Sequence, residues 1–145
     1  MEDELVGFEV ARLAKEVGFN ESCYAYYIDN VNRVVNRISN FELTSHKINE
    51  KILVDNKSIF LTHYLAPTQS LLHKWLRENH NIHIQIEWWN DDTWSAKLVG
   101  NMFSEIPESY EAENYKSYEE ALEIALLKAL EYIKNINSTY LNKQK

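Results

Sequence analysis

The sequence predicts an α+β fold: a two-layer sandwich of a mostly antiparallel sheet with a central β-hairpin and helices packed on one face. Two segments, 82–88 and 94–99, alternate apolar and polar residues as paired strands do. Three others, 4–17, 67–79 and the segment after Ser117, place apolar residues at helical spacing. Because a half-buried hairpin and an amphipathic helix each have one apolar face, they bury those faces against each other.

The first helix, over residues 4–17, should end at Gly18. Glycine adopts the left-handed conformation of helix ends without steric cost, and Phe19 can then fold back onto the last turn. Residues 23–28 are rich in strand-forming side chains and precede a turn at 29–30.

The stretch from 31 to 58 has the weakest patterns. Strand pieces are predicted at 33–38 and 50–54, with a turn at 55–58. Residues 59–64 should be extended, because the chain before a proline is biased away from helix.

The second helix is predicted over residues 67–79. Proline has the backbone angle that suits a first helical turn, so Pro67 marks the start of the helix. Residues 79–81 should end it, since asparagine tolerates the left-handed conformation.

The hairpin has a predicted register, because residues opposite each other must share a face. Matching the apolar faces of its strands pairs Trp88 with Trp94, Ile86 with Ala96 and Ile84 with Leu98. The loop between the strands then comprises residues 89–93.

The last helix begins with a capping-box spacing, Ser117 followed by Glu120, and is the longest. Residues 137–145 contain Asn and Lys and are predicted to fray. With no repeat, linker or low-complexity segment, residues 1–145 should form a single domain.

Composition narrows the partners and the compartment. The net charge is -7, so nucleic-acid phosphates and anionic membranes are disfavoured as partners. One cysteine, Cys23, cannot form an internal disulfide, which favours a reducing compartment. The first four residues are acidic where a secretory signal would be basic, and no apolar run approaches the roughly 20 residues of a spanning helix. We therefore expect a cytoplasmic protein.

Catalytic and metal sites lack a sequence signature. The chain has only three glycines, with neither a Gly-x-Ser-x-Gly elbow nor a phosphate-binding loop. Cys23 is interpreted as a small buried hydrophobe rather than a nucleophile. His73, His80 and His83 could form a metal cluster, but scattered histidines are the preferred interpretation. We therefore predict no catalytic residues, no metal and no cofactor, and rank an enzyme third among the functions considered.

Aromatic residues give the strongest functional signal. Because neighbours in a strand point to opposite faces, Trp89 should project away from Trp88 toward solvent or a partner. In the preferred interpretation, Trp88 and Trp94 are core residues and Trp89 is covered by another element; an aromatic contact surface is the other interpretation. The candidate binding residues are Trp89, Tyr26, Lys74 and Arg77.

Residues 105–123 carry seven glutamates and one lysine. Such a segment is usually a solvated surface, although it could also imitate nucleic acid or dock on a basic protein surface.

Several local sequences carry a resemblance to a known family. They are residues 13–21 (LAKEVGFNE), 66–78 (APTQSLLHKWLRE), 82–86 (IHIQI) and 117–123 (SYEEALE). Together they resemble an uncharacterised family of proteins from bacteriophages and prophages of gut Bacteroidota, over about half of the chain. The resemblance implies a viral or mobile-element origin, hence the cytoplasm of the host cell, and transfers no catalytic residue.

The leading hypothesis is a small phage-type or prophage-type accessory protein that binds a host or viral protein without catalysis, with a homo-oligomer as one form that it could take. The alternative is a protein that binds or sequesters a small molecule of nucleotide type, in a pocket lined by aromatics and by Arg33, Arg37 or Lys74. Direct nucleic-acid binding ranks last, since composition supplies no basic stripe.

Overall fold

The computed structural model describes residues 4–30, 33–43, 49–88, 92–100 and 111–143. In chain order the elements are α1 (Phe8–Glu16), β1 (Cys23–Asn30), β2 (Arg33–Leu43), β3 (Asn49–Val54), β4 (Lys57–Leu65), α2 (Gln69–His80), β5 (His83–Trp88), β6 (Trp94–Val99), β7 (Glu111–Tyr115) and α3 (Tyr118–Lys143). The described strand pairs are all antiparallel, which confirms the α+β class.

The chain divides into two compact units. The first unit is Leu5–Pro67, and the second consists of Met1–Glu4 and Thr68–Lys145. The first contains a four-stranded sheet of order β2-β1-β4-β3, and the second contains a three-stranded sheet of order β5-β6-β7. This division into two sheets goes beyond what the local patterns indicate, and the single domain over 1–145 stays a prediction.

In the first unit, the strand pieces predicted at 33–38 and 50–54 lie within β2 and β3. The β3–β4 hairpin closes through Asp55 and Asn56, with φ of 50° and 63°. Two successive positive φ angles are typical of the turn that matches strand twist, and Asp and Asn are among the residues that tolerate them. The predicted turn at 55–58 is thus confirmed and narrowed to two residues.

The first helix starts later than predicted. Gly7 is its N-cap, with an extended backbone (ψ 171°), and the Val6 N–H donates to the Pro67 carbonyl at 3.0 Å. The described residues before Phe8 are therefore outside the helix, because a long-range backbone hydrogen bond competes with the helical pattern.

Helix α1 ends at Gly18 as predicted. Gly18 has a φ of 99°, and its N–H donates to the Lys15 carbonyl at 3.2 Å. The Phe19 N–H donates to the Ala14 carbonyl at 2.9 Å, and the Phe19 side chain is buried. These two bonds form a Schellman motif, which satisfies carbonyls that the helix end would otherwise leave open.

Aromatic rings connect α1 to its sheet. Phe8 meets Tyr27 and Tyr64 edge to face, with centroids 5.7 Å and 5.4 Å apart. Tyr27 and Tyr64 are register partners on β1 and β4, so one helical side chain spans two strands. The Tyr27 hydroxyl donates to the Val6 carbonyl at 2.7 Å.

In the second unit, α2 begins two residues later than predicted. Thr68 is the N-cap and its hydroxyl accepts from the Leu71 N–H at 3.2 Å, so Pro67 precedes the helix. Asn81 ends it in the left-handed conformation (φ 53°), as expected from residues 79–81.

The hairpin register is confirmed: Trp88 pairs with Trp94, Ile86 with Ala96 and Ile84 with Leu98. The predicted loop lies partly outside the described residues, which lack 89–91. Ile84, Ala96 and Leu98 are buried on the face that α2 and α3 cover.

Helix α3 packs through small and large apolar residues that are fully buried: Ala121, Ala125, Leu126, Ala129 and Leu130. Ser117 accepts from the Glu120 N–H at 3.1 Å, which confirms the predicted cap. The Glu120 carboxylate accepts from the Lys116 N–H at 3.2 Å, one residue before the expected donor.

The tail predicted to fray is helical as far as Lys143, because neither glycine nor proline interrupts it there. Within the described residues, no helix has both the length and the apolar character to cross a membrane.

The left-handed residue at the end of α1 gives a stability prediction. We expect Gly18→Ala to destabilise the fold by about 1 kcal/mol, because a Cβ at positive φ is strained. The strain would be confined to the backbone, since nothing lies within 4 Å of an added Cβ. Chemical denaturation measures the change. Gly18→Asn is the matched control and should cost less, since Asn tolerates positive φ; equal costs for the two variants would contradict the interpretation.

Candidate protein-binding surface

Three aromatic residues line up across one end of the three-stranded sheet. Trp88 on β5 pairs with Trp94 on β6, and Trp94 pairs with Tyr115 on β7. Since directly opposed residues in antiparallel strands share a face, the three side chains form a row. A bulge between Trp94 and Ala96 separates this row from the rest of the β6–β7 ladder.

Helix α3 adds a fourth aromatic residue to this row. Tyr118, its first residue, meets Trp94 edge to face, with centroids 5.7 Å apart and planes at 89°. The cap at Ser117 fixes where the helix starts and hence where this ring lies. We call Trp88, Trp94, Tyr115 and Tyr118 the aromatic surface.

The aromatic surface lies where the cover of the sheet ends. Along one face of β5, Ile84 is 7% exposed, Ile86 is half-buried and Trp88 is 56% exposed. Trp94 and Tyr115 are half-buried and Tyr118 is 41% exposed. The interpretation of Trp88 as a core residue is therefore wrong: it shares the apolar face of the strand, but its side chain is exposed.

A row of exposed aromatics on a paired strand is suited to binding. Trp and Tyr bury large areas, lose little side-chain entropy and dominate the energetics of protein interfaces. The ring packing between Trp94 and Tyr118 holds two members of the surface in place before any partner arrives.

The sequence pattern did not single out Trp88, Tyr115 or Tyr118 as binding residues. Trp88 shares the apolar face of the hairpin, and Tyr115 and Tyr118 flank Ser117 in the sequence. The flanking positions and the predicted Trp88–Trp94 pair were the only signals that could have indicated this surface.

Of the four predicted binding residues, the structure describes three, one in the first unit and two on the same helix of the second. Trp89 lies outside the described residues. Tyr26, on β1 in the first unit, is half-buried with its ring 5.3 Å from that of His63. Lys74 and Arg77 are exposed on α2 in the second unit, and the Lys74 ammonium lies 3.9 Å from the Glu78 carboxylate.

The three histidines considered for a metal each have another partner. His73 Nε2 accepts from the Ile84 N–H at 3.2 Å, the His80 ring packs against Trp75 at 4.8 Å, and His83 Nε2 lies 3.3 Å from Asn81 Oδ1. Among the described residues, no three His, Cys, Asp or Glu side chains are grouped to hold a metal ion.

Cys23 has the environment of a structural thiol. It is buried and its Sγ donates to the Glu21 carbonyl at 3.3 Å. Burial, with a smaller contribution from Glu21, raises the pKa of the thiol to about 12. A thiol with this pKa is almost entirely protonated at neutral pH, which weighs against nucleophilic catalysis.

The His73 hydrogen bond predicts a pH dependence of stability. Burial above all, then the charges of Arg77 and His83, lowers the pKa of His73 from 6.5 to about 4. As the pH falls from about 6.5 to about 4, the unfolded chain gains a proton that the folded chain does not, so the free energy of unfolding falls. A difference of one full proton would give a slope of about 1.4 kcal/mol per pH unit. The slope for His73 should be smaller, because solvent screens a half-buried ring.

Denaturation curves at pH 7.5, 6, 5 and 4 measure this dependence. His73→Gln is the control, because its amide oxygen can accept from the Ile84 N–H without titrating. The variant should have a shallower profile over this interval. Burial also lowers the pKa of His80, but His80 is present in both proteins and cancels in the comparison. Parallel profiles would contradict the role of His73.

In comparisons with known proteins, no family model, no curated protein and no solved structure matches this chain.

Proposed function

We propose that this chain is a small accessory protein of phage or prophage type that binds a host or viral protein without catalysing a reaction. The observation that carries the proposal is Trp88, 56% exposed at the end of a paired strand and next to Trp94 in the aromatic surface. The resemblance of residues 66–78 and the other blocks supports the origin of the protein. The buried, protonated Cys23 supports a role without thiol chemistry.

The energetics favour a protein partner for such a surface. A tryptophan that becomes desolvated at the centre of an interface often contributes 2 kcal/mol or more, on the order of a thirtyfold change in affinity. The fixed strand register and the capped start of α3 lower the cost of ordering the surface on binding.

Capture experiments with two variants test the proposal. Immobilised wild-type protein should retain a partner from a host lysate, and Trp88→Ala should lose it by at least about tenfold. Tyr24→Ala is the matched control, because Tyr24 is equally exposed (59%) but lies on β1 in the other unit. Quantitative mass spectrometry of the bound proteins gives the readout.

Loss of the partner in both variants would mean that any exposed aromatic residue contributes nonspecifically. Retention of the partner by Trp88→Ala would contradict a role of the aromatic surface in binding. If light scattering gives a lower molecular mass for Trp88→Ala than for the wild type, the assembly that Trp88 supports is a homo-oligomer.

A small-molecule function is favoured by one observation in the first unit. Tyr26 is half-buried and its ring packs against that of His63. Aromatic rings are suited to stacking on a nucleotide base.

Thermal shift against a nucleotide panel tests this second function. A nucleotide at 100 times its dissociation constant should stabilise the wild type by about 2.7 kcal/mol and Tyr26→Ala by much less. Trp88→Ala should retain the full shift, because it lies in the other unit. An unchanged melting temperature across the panel would exclude the nucleotides tested.

A further inference from the structure

The outer edge of β5 offers backbone hydrogen-bonding groups beside Trp88. In the order β5-β6-β7, β5 is an edge strand. The Ile84 N–H donates to His73 on α2, so this amide points away from β6. In an antiparallel pair, the N–H and C=O of one residue point to the same side, and the side alternates along the strand. The continuous register therefore directs the backbone groups of Ile86 and Trp88 outward as well.

His73 limits how much of this edge is open. Its imidazole accepts the outward amide of Ile84 at 3.2 Å, which closes the edge beside α2. Among the described residues, no strand pairs with the outer edge of β5 and His73 closes it only at Ile84, so the open part comprises Ile86 to Trp88, where the side chain of Trp88 is also exposed. The outward backbone groups and the exposed aromatic side chain of Trp88 thus lie within the same three residues.

In the sequence next to the aromatic surface, carboxylates outnumber basic residues, which favours a basic occupant. Within two residues of the four members of the aromatic surface, the sequence has one lysine and five carboxylates: Lys116, against Glu87, Asp92, Glu113, Glu119 and Glu120. Glu87 is exposed on β5, on the face opposite to Trp88. A neighbouring strand would therefore gain from an apolar residue beside Trp88 and a lysine or arginine beside Glu87. A second copy of this chain, with a net charge of -7, has the wrong sign.

We propose that the open edge of β5 accepts an extended, basic segment of the partner protein, which adds a fourth strand to the three-stranded sheet. This inference rests on the proposed function and specifies how the partner binds. Main-chain hydrogen bonds to Ile86 and Trp88 hold the segment, an apolar side chain covers Trp88, and a cationic side chain pairs with Glu87.

A pair of synthetic peptides tests the charge and the alternation. The probes are six-residue capped peptides of alternating Lys and Val, and of alternating Glu and Val. Titration of the full-length protein at low salt, followed by heteronuclear NMR, should show the Lys peptide binding at least about tenfold more tightly. The amide shifts should concentrate on β5. Equal affinity of the two peptides would overturn the basic specificity.

N-methylation of the peptide tests the strand addition itself on the unmodified protein. One isomer carries methyl groups on the Val amides and the other on the Lys amides, so each removes the donors from one edge of the peptide. In an antiparallel addition the residues opposite Ile86 and Trp88 share their face and point their amides at β5, so the Val isomer should lose binding. In a parallel addition the Lys isomer should lose it. Equal behaviour of the two isomers would overturn strand addition.

Ile86→Pro provides the matching change in the protein. Proline removes an outward N–H but leaves the amides that bond to β6, and proline is tolerated at edge positions. The variant should lose the Lys peptide. If Ile86→Pro does not fold, the N-methylated isomers still decide the question.

The outcomes separate this inference from the proposed function. If Trp88→Ala abolishes capture from the lysate while the peptide isomers behave alike, the protein binds its partner through side chains and only strand addition fails. If the purified wild type is a dimer that Ile86→Pro makes monomeric, the edge is occupied by a second copy and the basic segment is overturned.

Discussion

The incomplete cover of one sheet face is the constraint on which the functional interpretation depends. Helices α2 and α3 bury the apolar face of the β5–β6 hairpin at Ile84, Ala96 and Leu98. Alanines at 121, 125 and 129 are fully buried, as a close approach of α3 requires. Gln69, itself buried, joins the two helices by donating to the Glu119 carbonyl at 2.9 Å and to the Glu123 carboxylate at 3.1 Å. At the end of the same face Trp88 remains exposed, paired with Trp94 on the neighbouring strand.

Two hydrogen bonds define the arrangement of residues at this exposed end of the sheet. The Ser117 cap starts α3 where Tyr118 can pack edge to face on Trp94. The His73 bond to the Ile84 N–H shows which way the β5 backbone points and closes one part of its edge. The first of these hydrogen bonds thus positions Tyr118 in the aromatic surface. The second shows which backbone groups of β5 point outward and where its open edge begins.

Cys23 and His73, two of the titratable groups weighed for chemistry, have structural partners. Cys23 is buried with a pKa raised to about 12, and His73, with a pKa lowered to about 4, acts as a neutral hydrogen-bond acceptor. Burial is the first cause of both shifts and favours the uncharged form in each case.

The sequence by itself determined the elements whose signals are local: the Gly18 helix stop, the Ser117 cap and the register of the β5–β6 hairpin. In each, a few neighbouring residues or a strict alternation specify the backbone. The tertiary structure alone decided the start of α1, where Val6 bonds to the distant Pro67 carbonyl, and the division of the strands into two sheets. It also decided that Trp88 is exposed, because an alternating pattern shows which face of a strand is apolar, whereas how far that face is covered depends on the length and placement of helices that pack against it.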